Sequence, residues 1–157
     1  MACKTWALAL GLVVLAAAGA RADPRLDEVV YSPYVENHTL ELETRWGQEF
    51  GNGDEKRART FVMEADAGLS DRLSLALVGQ VERGPREGGR LTAIGLESIY
   101  YLGQIPGIGV DAGLYAEYKK GLGGESDEGE AKLLLAKTSG RFQGLVNLIV
   151  ERPFGAP

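Results

Sequence analysis

The feature that most constrains this chain is alternation. From residue 39 onward, apolar and polar side chains exchange with a period of two over stretches of about ten residues, the mark of a strand with one apolar and one polar face. In Thr39–Gln48, Leu40, Leu42, Thr44 and Trp46 share a face opposite Glu41, Glu43 and Arg45. In Thr60–Leu69, Phe61, Met63, Ala65, Ala67 and Leu69 alternate with Val62, Glu64, Asp66 and Gly68. Leu73–Glu82 sets Leu73, Leu75, Leu77 and Val81 against Ser74, Gln80 and Glu82, and in Leu91–Leu102 Ile94, Leu96 and Tyr100 oppose Gly95 and Glu97. Val110–Lys119 is the most regular, with Val110, Ala112, Leu114, Ala116 and Tyr118 against Asp111, Gly113, Tyr115, Glu117 and Lys119. Ala131–Thr138 is apolar but less regular, and Phe142–Glu151 opposes Phe142, Val146, Leu148 and Val150 to Gln143, Asn147 and Glu151. The expected fold is all-β, an antiparallel up-and-down meander of about seven or eight strands, a transmembrane β-barrel or part of one.

Two further features point to a barrel. Soluble strands usually run about five or six residues, whereas strands that cross a bilayer need about 9 to 11. Connections also alternate in kind. Ser70-Asp71-Arg72, Gly103–Gly109 around Pro106-Gly107, and Ser139-Gly140-Arg141 are short; Glu49–Arg57, Arg83–Arg90 and Gly121–Glu130 are longer and polar. Outer-membrane barrels sort their loops this way, short on the periplasmic side and long outside. Alternation alone does not say which face is inside. A soluble sandwich would turn the apolar face inward and leave the charges solvated. Val29–Tyr34 is a weak eighth strand because of Pro33, and the two prolines in 152–157 are expected to end the last one.

The first 22 residues read as a leader. Lys4 is followed by an uncharged, mostly apolar run from Trp6 to Ala20 and by the small-x-small site Ala20-Arg21-Ala22, so cleavage is expected between Ala22 and Asp23. The run is about fifteen residues, short of the roughly 18 to 20 that a membrane helix needs. The expected organisation is a signal peptide over 1–22 and a β-barrel domain over 23–157. Cys3 leaves with the leader, so disulfides, thiolate metal sites and cysteine nucleophiles are excluded from the mature chain. Without Lys4 and Arg21, 15 of the 17 basic residues remain against 22 acids, a net charge of −7 that argues against nucleic acid as a partner.

The leader, Tyr31-Ser32-Pro33-Tyr34-Val35-Glu36, Leu40-Glu41-Leu42-Glu43 and the hairpin ending Leu69-Ser70-Asp71-Arg72-Leu73 together resemble the poorly characterised proteobacterial outer-membrane β-barrels described as porin-like or transporter-like. The resemblance implies location in the outer membrane, contact with its lipid and with the barrel-insertion machinery, and no catalytic residues or cofactors. Members of such families usually end on a strand with a terminal aromatic residue. This sequence ends in Pro157, which raises the expectation of a barrel truncated at its C-terminus, or one completed as a homo-oligomer.

Candidate sites are few. His38 is the sole histidine, with only Glu36 and Glu41 near it in sequence; a metal site is the lesser reading beside a solvated histidine at a strand edge. The run Glu125-Ser126-Asp127-Glu128-Gly129-Glu130 lacks the spacing of a calcium loop and is expected to be a solvated loop. No Gly-x-Ser-x-Gly elbow occurs, and an enzyme is not expected. Asn37-His38-Thr39 matches a glycosylation sequon, a pattern frequent by chance. Trp46, Phe61, Tyr100, Tyr101, Tyr115, Tyr118 and Phe142 are predicted to form aromatic girdles, and Glu64, Asp66, Asp111 and Glu117 to face a lumen and favour cations. The competing function is a soluble periplasmic carrier, a β-sandwich or lipocalin-like fold holding an apolar ligand among Leu73, Leu75, Leu77, Leu114 and Val146.

Overall fold

The alternating stretches fold into one antiparallel sheet whose strands follow one another in chain order, curled into a half-barrel. The structure is a computed structural model that describes residues 29–48, 59–84 and 88–155; the leader, its cleavage point, the whole connection at 49–57 and residues 85–87 of the connection at 83–90 lie outside these residues. The strands are β1 (Leu40–Gln48), β2 (Arg59–Gly68), β3 (Leu73–Arg83), β4 (Arg90–Ile105), β5 (Val110–Gly121), β6 (Asp127–Ser139) and β7 (Phe142–Phe154). Residues 29–34 do not form an eighth strand; they lie across the concave side of the sheet.

Turn chemistry explains the tight connections. The Ser70 hydroxyl accepts hydrogen bonds from the Arg72 and Leu73 amides (3.2 and 3.1 Å), closing the β2–β3 turn, while Leu69 N donates to Leu73 O. Gly107 and Gly109 supply positive φ between β4 and β5, and Gly140 does so between β6 and β7.

Three expected boundaries move, each for a physical reason. β4 continues past Leu102 to Ile105 because a bulge lets Gly103, at φ 113°, restart the pairing with Ala112. β7 runs through Pro153, which sits opposite Glu128; β7 is an edge strand, where the missing N–H need not break the ladder. The acidic run is not a loop beyond Ser126. Asp127, Glu128 and Glu130 belong to β6, where Glu128 and Asp127 meet Lys119 and Lys120 of β5. The loop between β5 and β6 is therefore shorter than the sequence suggests.

The register sorts side chains by chemistry. The convex face carries Leu42, Met63, Leu77, Ile94, Leu96, Leu114, Leu148 and Val150, all exposed, with Leu42 at 79% and Val150 at 73%. The concave face buries Val62, Ile99, Tyr115 and Leu134 together with Glu64, Ser74, Glu97 and Lys132. A water-soluble sheet hides its apolar face, whereas here the apolar face is the outer one. Gly68 marks where the leading segment meets the sheet: a Cβ there would overlap the Glu36 carbonyl. The chain then turns through Asn37 and His38 into β1. His38 adopts φ 59° and donates its amide to Gly68 O at 2.9 Å, so the sole histidine is an exposed turn residue tied down by its backbone.

Candidate functional site: a plugged polar concave face

The register aligns carboxylates across the whole sheet. Glu41 pairs with Asp66, Asp66 with Ala76, Ala76 with Glu97, Glu97 with Glu117, Glu117 with Glu130, and Glu130 with Glu151, one row reaching from β1 to β7. Only Ala76 interrupts it. Such a row would repel itself, and the neighbouring rows supply the cations. Lys132 Nζ lies 3.1 Å from Glu130, Lys119 lies 3.1 Å from Glu128 and 3.9 Å from Glu117, and Arg45 lies 3.0 Å from Glu64 and 3.6 Å from Glu43. Buried charges are tolerable only with such partners.

Residues 29–35 cover this face. Tyr31 stacks on Tyr115 with ring centroids 4.8 Å apart, and Lys132 Nζ stands 5.1 and 4.9 Å from the two rings. Lys132 also donates to Val29 O (3.3 Å). The Tyr31 hydroxyl donates to Glu97, and that of Tyr115 to Glu117, each at 3.1 Å. Burial, and after it the Glu97 carboxylate, pushes the Tyr31 hydroxyl above its ordinary value, so it remains the donor. The Asn147 side chain accepts from Tyr31 N (2.7 Å) and donates to Tyr31 O (2.9 Å). Val35 packs with Tyr31 against Ile99, Tyr115 and Leu134, and Pro33 is fully buried. A cleft of about 10 Å³, lined by Tyr31, Asp66, Ser74 and Glu97 among others, has room for about one water.

Of the residues predicted to face a lumen, Glu64, Asp66 and Glu117 lie on the concave face near one another, with Asp66 accepting from the Ser74 hydroxyl at 3.3 Å. Asp111 sits apart, at the end of β5, where Tyr101 and Tyr34 donate to its two oxygens at 2.6 and 2.9 Å. The predicted girdle divides. Trp46, Phe61 and Tyr118 lie toward the ends joined by the longer loops, where Phe154 stacks on Tyr118 at 5.7 Å; Tyr100 and Phe142 lie toward the short turns. Tyr115 and Tyr101 do not belong to it, since both engage the concave side. Sequence reasoning missed Glu97, Lys132, Tyr31 and Asn147 as site residues. Glu97, Lys132 and Asn147 share the parity of the polar face, a signal the sequence does carry.

Among the described residues no group of three His, Cys, Asp or Glu side chains could hold a metal ion, and Glu36 and Glu41 do not join His38 in one. No protein-family model, curated protein or solved structure matches the chain.

Proposed function

We propose that this chain is an exported outer-membrane β-barrel protein, porin-like or transport-related, whose convex face meets lipid and whose concave face lines a polar interior that favours cations. The observation that carries this reading is the inversion of the sheet: the large apolar side chains stand exposed outside while paired charges and hydroxyls are buried inside. Strand lengths agree. At about 3.3 Å per residue and a tilt near 45°, β3 with 11 residues and β6 and β7 with 13 each rise roughly 25 to 30 Å, the height of an outer-membrane apolar band. A soluble carrier of an apolar ligand would want Leu77, Leu114 and Val146 inside, and all three are exposed on the outer face.

Seven antiparallel strands in series leave β1 and β7 at the two edges, running in the same direction. Each unpaired backbone group in lipid costs several kcal/mol, so the proposal includes closure of these edges by further strands. An odd number of added strands closes the ring with antiparallel seams throughout. A second copy turned about the barrel axis closes it with two parallel seams.

The test is to express the chain with its leader, fractionate the envelope, and run the outer-membrane fraction on SDS gels with and without boiling. A band in that fraction whose mobility shifts on boiling is the expected result. Recovery in the soluble periplasm would refute the proposal.

A further inference from the structure

Residues 29–35 cross the interior without joining the ladder, and among the described residues their ties to the wall are made by side chains. Asn147 holds both backbone groups of Tyr31, Lys132 holds Val29 O, Glu97 takes the Tyr31 hydroxyl, and Pro33 seats against Gly113. These anchors stand on β4, β5, β6 and β7, so the segment straps one side of the sheet to the other before it turns at His38 into β1. Under it lies Glu97, which accepts from the Tyr31 hydroxyl, with Glu64 and Glu117 close enough to act on its charge, and the remaining cleft takes about one water. A segment built into the sheet would exchange hydrogen bonds along its length. This one is fastened at a few points that a single substitution reaches.

We propose that the strap at residues 29–35 is a detachable gate: seated, it closes the polar interior, and released, it opens a path for small hydrated cations past Glu64, Glu97 and Glu117. The gate rests on the membrane reading above. Cations are the class admitted because carboxylates dominate the wall the strap covers, and a pore lined by them disfavours anions. Asn147 is the positioning residue. Its amide reproduces the donor–acceptor pair that a neighbouring strand would offer to one residue, so it holds the strap without committing it to the ladder.

The experiment uses the chain as recovered from the outer membrane, with Cys3→Ser so that no unprocessed precursor contributes a thiol. Asn147→Leu keeps the side chain's size and removes both hydrogen bonds. Two readouts are taken: the rate at which a maleimide labels Ser32→Cys, and potassium and chloride conductance in planar bilayers. Labelling is expected to accelerate by at least about tenfold on the loss of two hydrogen bonds, with conductance rising and favouring potassium. A lock provides the converse. A Cβ built on Gly113 lies 2.9 Å from Pro33 Cβ, so Pro33→Cys with Gly113→Cys needs only a small outward shift to reach the spacing of a disulfide, about 3.8 Å. Oxidised in the Asn147→Leu background, without the Ser32→Cys change, that pair is expected to restore low conductance, and reduction to raise it again. Faster labelling with unchanged conductance overturns the gate and leaves the membrane reading standing. Unchanged labelling overturns the role of Asn147 and the gate with it. Recovery of every variant in the soluble fraction removes the membrane reading, and the gate falls for that separate reason.

Discussion

Leu77→Arg will hold the chain out of the outer-membrane fraction. Leu77 sits near the middle of β3 on the convex face, between Ala65 and Leu96, and is 66% exposed. An arginine near the bilayer midplane of a barrel costs about 2 to 4 kcal/mol, which is roughly thirtyfold or more in the inserted fraction at about 1.4 kcal/mol per tenfold. The same substitution on a water-facing surface stays within about 0.5 kcal/mol. The two environments therefore predict different results for one change. Leu77→Ala serves as the control, since it removes apolar area without adding charge. Insertion is read as the heat-modifiable band in the outer-membrane fraction. Loss with arginine and retention with alanine is expected; equal recovery of both would place the convex face in water.

Lys132→Met will destabilise the folded chain by several kcal/mol although methionine is the more apolar residue. The Lys132 side chain is wholly buried, and its ammonium meets Glu130, Val29 O and the faces of Tyr31 and Tyr115. Its removal leaves Glu130 in the carboxylate row, directly opposite Glu117 and Glu151, with its near cation gone. Breaking one partner of a buried pair costs about 3 to 5 kcal/mol. At a urea slope of about 1 to 3 kcal/mol per molar, the unfolding midpoint is expected to fall by more than about 1 M. Adding Glu130→Gln should recover part of the loss, because the carboxylate that has lost the Lys132 cation is then replaced by a neutral amide. An unchanged midpoint in the single variant would mean that the ammonium is solvated.

The sequence carries much of the fold because a meander needs little else. Most strands are announced by their own alternation, β6 only by an apolar run, and each tight turn by Ser70 or by glycines at residues 107, 109 and 140; consecutive pairing follows from short connections. What it does not carry depends on packing between distant segments. Nothing in Tyr31-Ser32-Pro33 says that the segment crosses the sheet, because its partners Asn147, Lys132 and Glu97 lie on strands far along the chain. Lys132 reads as an irregularity in an apolar stretch until the two tyrosine rings that flank it are placed together. Pro153 reads as a stop until β7 is known to be an edge. Glu64, Asp66 and Glu117 are legible because a residue's face follows from its parity, whereas Asp111 has the right parity but stands at a strand end.

What the convex face touches can be read directly by fluorescence. Trp46→Phe with Leu77→Trp places one tryptophan at the centre of that face in the chain freed of its leader. In vesicles, a convex face seated in lipid gives blue-shifted emission, strong quenching by bromine atoms deep in the lipid chains, and little quenching by aqueous acrylamide. Red-shifted emission that acrylamide quenches and brominated lipid does not would contradict the membrane reading.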